Sequence, residues 1–224
     1  MTTKPHSAWD DLASALIVFA VFAWEFVVLL LIDPFLFRDE NDPAAPIWHH
    51  AITAAGWALG AALLSRSAAR VGVFTDRTNA APTGSVTTRT LVAVAAASAA
   101  VLIRAAAFGE FKIGAEIADI ISDSGNLAPL GITALLAYYV AEAALIVLVI
   151  LFGQRAGEKQ FGRRAAPWGG IVLAGTWGIM HIFLQGPAGG AYAIVAAVLY
   201  GLIVTYGPRR VTAAGTIAAA AFII

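Results

Sequence analysis

The chain has 224 residues, 60% of them hydrophobic and 12% charged, with a formal net charge of zero. That balance excludes an ordinary soluble domain, and the lack of a basic excess excludes a nucleic-acid partner. There is no cysteine, which excludes disulfides, iron–sulfur clusters, thiolate zinc sites and cysteine nucleophiles.

Continuous apolar runs approach the roughly 20 residues needed to cross a hydrocarbon core of about 30 Å. They predict an all-α fold: one integral membrane domain over residues 1–224, a polytopic transmembrane helical bundle of six to seven spans. The runs do not alternate as barrel strands do. The first span is predicted at 12–32 and contains Glu25. Asp10 and Asp11 precede it and no small-residue cleavage site follows, so it reads as a retained span, not a signal peptide. The second, 47–64, opens on Trp48, His49 and His50 and carries Gly56 and Gly60, a spacing suited to close helix packing. The third, 90–108, contains Arg104.

Residues 110–121 predict an amphipathic helix at the membrane interface. Ile113, Ile117, Ile120 and Ile121 share one face, and Lys112, Glu116, Asp119 and Asp123 the other. Lys112 and Glu116 form a favourable i,i+4 pair on that polar face. The fourth span, 127–153, has Glu142 as its only charge, with Tyr138 and Tyr139 one turn before it. The fifth, 167–186, holds His181 between Trp177 and Gln185, each one turn away. The sixth, 188–206, has no charge. Residues 211–224 are too short for a full crossing at 1.5 Å per residue and read as a partial or tilted span.

Loop charges alternate. Arg66, Arg70, Arg77 and Arg89 follow span two, Arg155, Lys159, Arg163 and Arg164 follow span four, and Arg209 and Arg210 follow span six. The intervening side carries Asp33, Asp39, Glu40 and Asp42, then Glu110, Glu116, Asp119 and Asp123, with Arg38 and Lys112 its only bases. Positive charge stays inside, so the N-terminus is expected in the cytoplasm, in a plasma membrane or bacterial-type inner membrane. The expected partners are the lipid bilayer and a membrane protein or peptide.

A carboxylate in the middle of a span is costly and must face protein or a water-filled cavity. Counting helical rise from the loops puts Glu25, Arg104 and His181 in the outer half and Glu142 deeper, so one outward-facing cavity is compatible with all of them. Glu142 reads as a general base, metal ligand or proton-relay group, or as a neutral acid bonded by Tyr138 or Tyr139. His181 reads as a metal ligand or as a structural hydrogen-bonding group. Arg104 needs Glu25 or Glu110 as counter-ion, or reaches outward to the surface. His49 and His50 point about 100° apart on a helix, so at most one joins an inner site, and both suit an interfacial belt beside Trp48.

The order of these residues resembles the CPBP group of intramembrane proteins, which includes CAAX-processing and bacteriocin-immunity-associated proteases. Glu142 falls where that family carries an adjacent Glu pair followed by Arg, and Trp177-Gly178-Ile179-Met180-His181 matches its aromatic-x-x-x-His motif. The resemblance covers residues 137–224. It implies a glutamate- and metal-dependent site in which Glu142 activates water and His181 binds a divalent metal such as zinc. The chain departs from the pattern in three places. Glu142 stands between Ala141 and Ala143, the next arginine is Arg155, and residues 211–224 contain neither His nor Asn. The expectation is therefore a divergent CPBP-like protein without protease activity that keeps a buried Glu/His site. The alternatives are an active intramembrane metalloprotease, with Glu25 or His49 completing the metal site, and a small proton-coupled transporter titrating at Glu142.

Overall fold

The computed structural model describes residues 6–37, 42–75, 85–208 and 210–224. Arg38, Asp39, Glu40, Arg77 and Arg209, used above for the charge pattern, lie outside them. The described residues contain helices and no strand. Four stretches are long and apolar enough to cross a membrane: Ala8–Leu36, Val86–Phe108, Lys112–Phe161 and Trp168–Tyr206.

The first stretch, α1, is one continuous run whose start is fixed by a capping box between Ser7 and Asp10. It widens into a π turn at Val28–Ile32. α2, Ala45–Arg70, is 26 residues long. It is not among the four apolar stretches, because His49, His50, Ser65, Arg66 and Ser67 dilute its apolar content. Gly56 and Gly60 do serve packing inside the bundle: a Cβ on Gly56 would fall 2.1 Å from the Trp24 indole, and one on Gly60 2.5 Å from Val21. α3 is Val86–Phe108, N-capped by Ser85 and ended by Gly109 at φ +79°.

Lys112–Phe161 is two helices. α4, Lys112–Ser124, doubles back at Gly125–Leu127 onto α5, Ala128–Phe161, so that Ile120 packs on Gly131 and Glu116 meets Tyr139. α5 is 34 residues long and is buried on nearly all sides from Ala141 to Gly157, making it the axis of the molecule. α1 runs antiparallel to it, since Asp11 meets Lys159 at one end and Glu25 meets Tyr138 toward the other. α2 runs parallel to it, from Ile47 on Gly131 to the Val71 carbonyl on Arg155.

Trp168–Tyr206 is also folded on itself. Gly186 has φ +73° and ψ −177°, a conformation essentially closed to other residues, and Pro187 follows it. The chain reverses there, giving a hairpin of α6 (168–185) and α7 (187–206). Gly170 faces Gly201, Gly178 faces Ile194 and Gly190 faces Ile182. A Cβ on Gly201 would sit 2.5 Å from the Gly170 Cα, so the two backbones touch. This reversal coincides with the boundary predicted between spans five and six. α6 contains a second π turn, Ala174–Gly178. Gln154 ties α5 to the hairpin: its side-chain oxygen accepts from the Gly169 N–H at 3.1 Å, and its amide donates to the Ala166 carbonyl at 2.9 Å.

α8, Val211–Ile223, and α4 both run antiparallel to α5, one after the other along it. Gly215 lies against Val147 and Phe222 against Tyr139, exactly where α4 begins. The Lys112 N–H donates to the Ile224 carbonyl at 2.9 Å, so the tail of one helix satisfies the head of the other. End to end they form one column. Ile113, Ile117 and Ile120 do pack toward the core, while Ile121 is 57% exposed. Lys112 and Glu116 also turn inward, because the bundle offers both a polar partner. The Lys112 ammonium sits over the Tyr139 and Phe222 rings, 4.1 and 4.4 Å from their centroids, and Glu116 accepts from the Tyr139 hydroxyl.

Candidate functional site

α1, α5 and α6 enclose a cavity of about 260 Å³, with His49 of α2 at its rim. Its polar lining is Glu25, His49, Tyr138, Glu142, His181 and Gln185. Aromatic rings of Phe19, Phe22, Phe26 and Trp177, with Leu29, Met180 and Leu184, complete the wall. The π turns of α1 and α6 both border this space, and such turns rotate side chains off the regular helical register.

Glu142 is 5% exposed and lies at the foot of the cavity. Its Oε1 accepts from the Trp177 indole N–H at 3.1 Å, and its second oxygen has no hydrogen-bond partner among the described residues. Tyr138 and Tyr139 do not bond it as the sequence suggests. Helical side chains one turn before Glu142 reach neighbouring helices instead, so Tyr138 donates to Glu25 at 2.7 Å and Tyr139 to Glu116. Trp177 was placed only as a motif aromatic. Its spacing of four from His181 brings the two rings together at a tilt, centroids 4.1 Å apart, beside Glu142.

His181 Nδ1 lies 2.8 Å from the Trp177 carbonyl. A carbonyl only accepts, so Nδ1 carries a hydrogen and donates it. Glu25 accepts from Tyr138 and lies 3.9 Å from His49 Nε2. His49 Nδ1 is 2.6 Å from Asp33. Of the two adjacent histidines only His49 lines the cavity; His50 packs its ring on Tyr138 at 5.0 Å. His49 thus belongs to a buried polar chain and not to an interfacial belt, because Asp33 and Glu25 bracket it.

Arg104 stays apart from this site. Its guanidinium lies 4.9 Å from the Phe108 ring and 5.8 Å from that of Tyr192, and it forms no ion pair among the described residues. The expected pairing with Glu25 fails because Glu25 is taken by Tyr138 and His49 on the opposite side of α5. Glu110, the other expected counter-ion, is exposed. Lys112 is the residue that sequence reasoning missed. Its ammonium lies over the Tyr139 and Phe222 rings of the bundle core.

A zinc site of the kind the resemblance implies needs at least three protein ligands. No group of three His, Asp or Glu side chains placed to hold a metal occurs among the described residues. The nearest approach is Asp33–His49–Glu25, where both imidazole nitrogens already face carboxylates. These residues do not fit a zinc centre. Comparison with protein-family models, curated proteins and solved structures finds no match to this chain.

Proposed function

We propose that the chain is an integral membrane protein that binds a small molecule in the Glu25–Glu142–His181 cavity, on a CPBP-like plan without protease activity. α1, α2, α3, α5, α6 and α7 cross the membrane, and α8 with α4 makes a seventh, composite crossing. The arginine- and lysine-bearing loops and the N-terminus face the cytoplasm. The observation that carries this reading is Glu142, a buried carboxylate with one oxygen unpaired and facing a cavity shared with Glu25 and His181. The second Glu142 oxygen has no partner among the described residues and borders the cavity, so it is open to a hydrogen-bond donor from a bound molecule.

The decisive experiment is thermal unfolding of the purified protein in nanodiscs against a panel of small amines, amides and acids. Stabilising compounds are expected with wild type and are expected to lose their effect with Glu142→Gln. Stoichiometric zinc and peptide cleavage, both lost in His181→Ala, would establish the metalloprotease instead.

The composite α8–α4 crossing favours a second reading, transport. Helices broken near mid-membrane are a recurrent feature of secondary transporters, where the break borders the coupling site. Here the break places Lys112 behind Glu142. That reading requires proton-coupled uptake into proteoliposomes that disappears in Glu142→Gln.

A further inference from the structure

Leu29 and Leu184 show where the cavity opens. Both line it, yet they are 48% and 46% exposed on the outside of the bundle. They belong to α1 and α6, whose backbones come together chiefly at the Ala174–Gly178 π turn. Beyond that level Leu29 of α1 and Leu184 of α6 stand at the exposed edge of the cavity. Next to it, Leu30 and Phe183 are 65% and 79% exposed, giving the mouth an apolar flank of the kind that faces lipid. The cavity therefore has an apolar side door and a carboxylate at its foot.

Its interior has one sign of charge to satisfy. Glu25 and Glu142 line it, while no lysine or arginine among the described residues does. Glu25 already accepts from Tyr138 and lies 3.9 Å from His49 Nε2, so Glu142 is the carboxylate left facing the space. Around the carboxylates stand the rings of Phe19, Phe22, Tyr138 and Trp177, the combination of anion and π-face that holds alkylammonium groups. At about 260 Å³ the space is below the roughly 300–1,000 Å³ of sites that enclose a whole small-molecule ligand. It fits a headgroup whose tail continues out between Leu29 and Leu184.

We infer that the ligand is a cation-headed amphiphile, an alkylammonium whose headgroup sits against Glu142 and whose chain leaves between Leu29 and Leu184 into the bilayer. This inference rests on the reading of the cavity as a binding site.

The test uses the full chain in dodecyl maltoside micelles, with melting midpoint and tryptophan fluorescence recorded against dodecyltrimethylammonium, tetramethylammonium and dodecyl phosphate. Saturable stabilisation by dodecyltrimethylammonium is expected, at least tenfold weaker for tetramethylammonium and absent for dodecyl phosphate. Glu142→Gln should weaken it at least tenfold. Leu184→Trp, read by melting midpoint, should weaken the long-chain cation at least tenfold and tetramethylammonium by a clearly smaller factor. Equal or better binding of dodecyl phosphate would overturn the cationic assignment while keeping a ligand cavity. Equal binding of tetramethylammonium, or no effect of Leu184→Trp, would overturn passage of the tail between Leu29 and Leu184. If neither these probes nor the broader panel binds, the cavity reading falls with it.

Discussion

Asp11 tests whether the bundle is anchored by charge at its basic end. Its side chain is fully buried, with Lys159 Nζ at 2.6 Å, Arg155 Nε at 3.3 Å and His6 Nδ1 at 3.3 Å. Lys159 also donates to the His6 carbonyl, so the start of α1 is clasped to the end of α5. Asp11→Asn removes the charge and keeps the shape. Breaking a buried ion pair from one side costs about 3–5 kcal/mol when the remaining charge stays buried. Here Lys159 and Arg155 keep 31% and 16% side-chain exposure, and Arg155 retains the Val71 carbonyl, so both recover part of their solvation. Discounting for that exposure leaves an expected loss of about 2 kcal/mol. The assay is reversible unfolding in mixed micelles of dodecyl maltoside and dodecyl sulfate, on wild type, Asp11→Asn, Lys159→Met and the double variant. Lys159→Met should cost less than Asp11→Asn, and the cycle should show a coupling of about 1 kcal/mol or more, since the two groups are in contact. A loss below about 0.5 kcal/mol for Asp11→Asn, the range of an ordinary surface substitution, would refute the anchoring argument.

Four further outcomes follow from the same geometry. Gly201→Val puts a branched side chain into the Gly170 backbone, 2.5 Å from where its Cβ would lie, and should cost about 1–3 kcal/mol in the same unfolding assay. Gly186→Ala should cost about 1–3 kcal/mol because φ +73° with ψ −177° is nearly closed to alanine. Tyr138→Phe removes the 2.7 Å hydrogen bond to Glu25 and should destabilise by about 1.5–3 kcal/mol, read as a shift in unfolding midpoint. The cysteine-free chain makes topology directly readable: single cysteines at Arg163 and Asp123 should react with a membrane-impermeant thiol reagent from the cytoplasmic and outer sides respectively. Labelling of both from one side would overturn the alternating topology.

That Glu142 and His181 share an interior was legible because polar groups in apolar runs are few and costly, and both line one cavity. The boundary at Gly186–Pro187 was legible for the same local reason, a glycine and proline between two apolar runs. Lys112 and Glu116 were not legible. Their helix has the polar and apolar faces of a surface helix, and only its docking beside Tyr139 and Phe222 buries the polar side. Those rings come from residues far along the chain, and no local pattern announces them. The partners of Glu25 and Arg104 were misassigned because charge suggested a pairing that helix placement forbids. Asp11 looked like an ordinary N-terminal acid in a tail with one lysine. Its burial depends on Arg155 and Lys159, which the sequence presents as loop charges.

The junction between α4 and α8 has a consequence for how the protein is made. α4 emerges from the ribosome before α5, α6 and α7, yet the acceptor for its first N–H is the Ile224 carbonyl at the end of α8. Until α8 arrives, the head of α4 and the ammonium of Lys112 lack their deep-lying partners, and inside hydrocarbon such groups are costly. α4 is therefore expected to wait at the water-exposed surface while the rest of the bundle assembles. Its seating is a late event, completed only when α8 supplies both the carbonyl and the Phe222 ring. A ribosome-stalled chain ending before Val211 would then leave α4 open to protease, and releasing synthesis through Ile224 would close it.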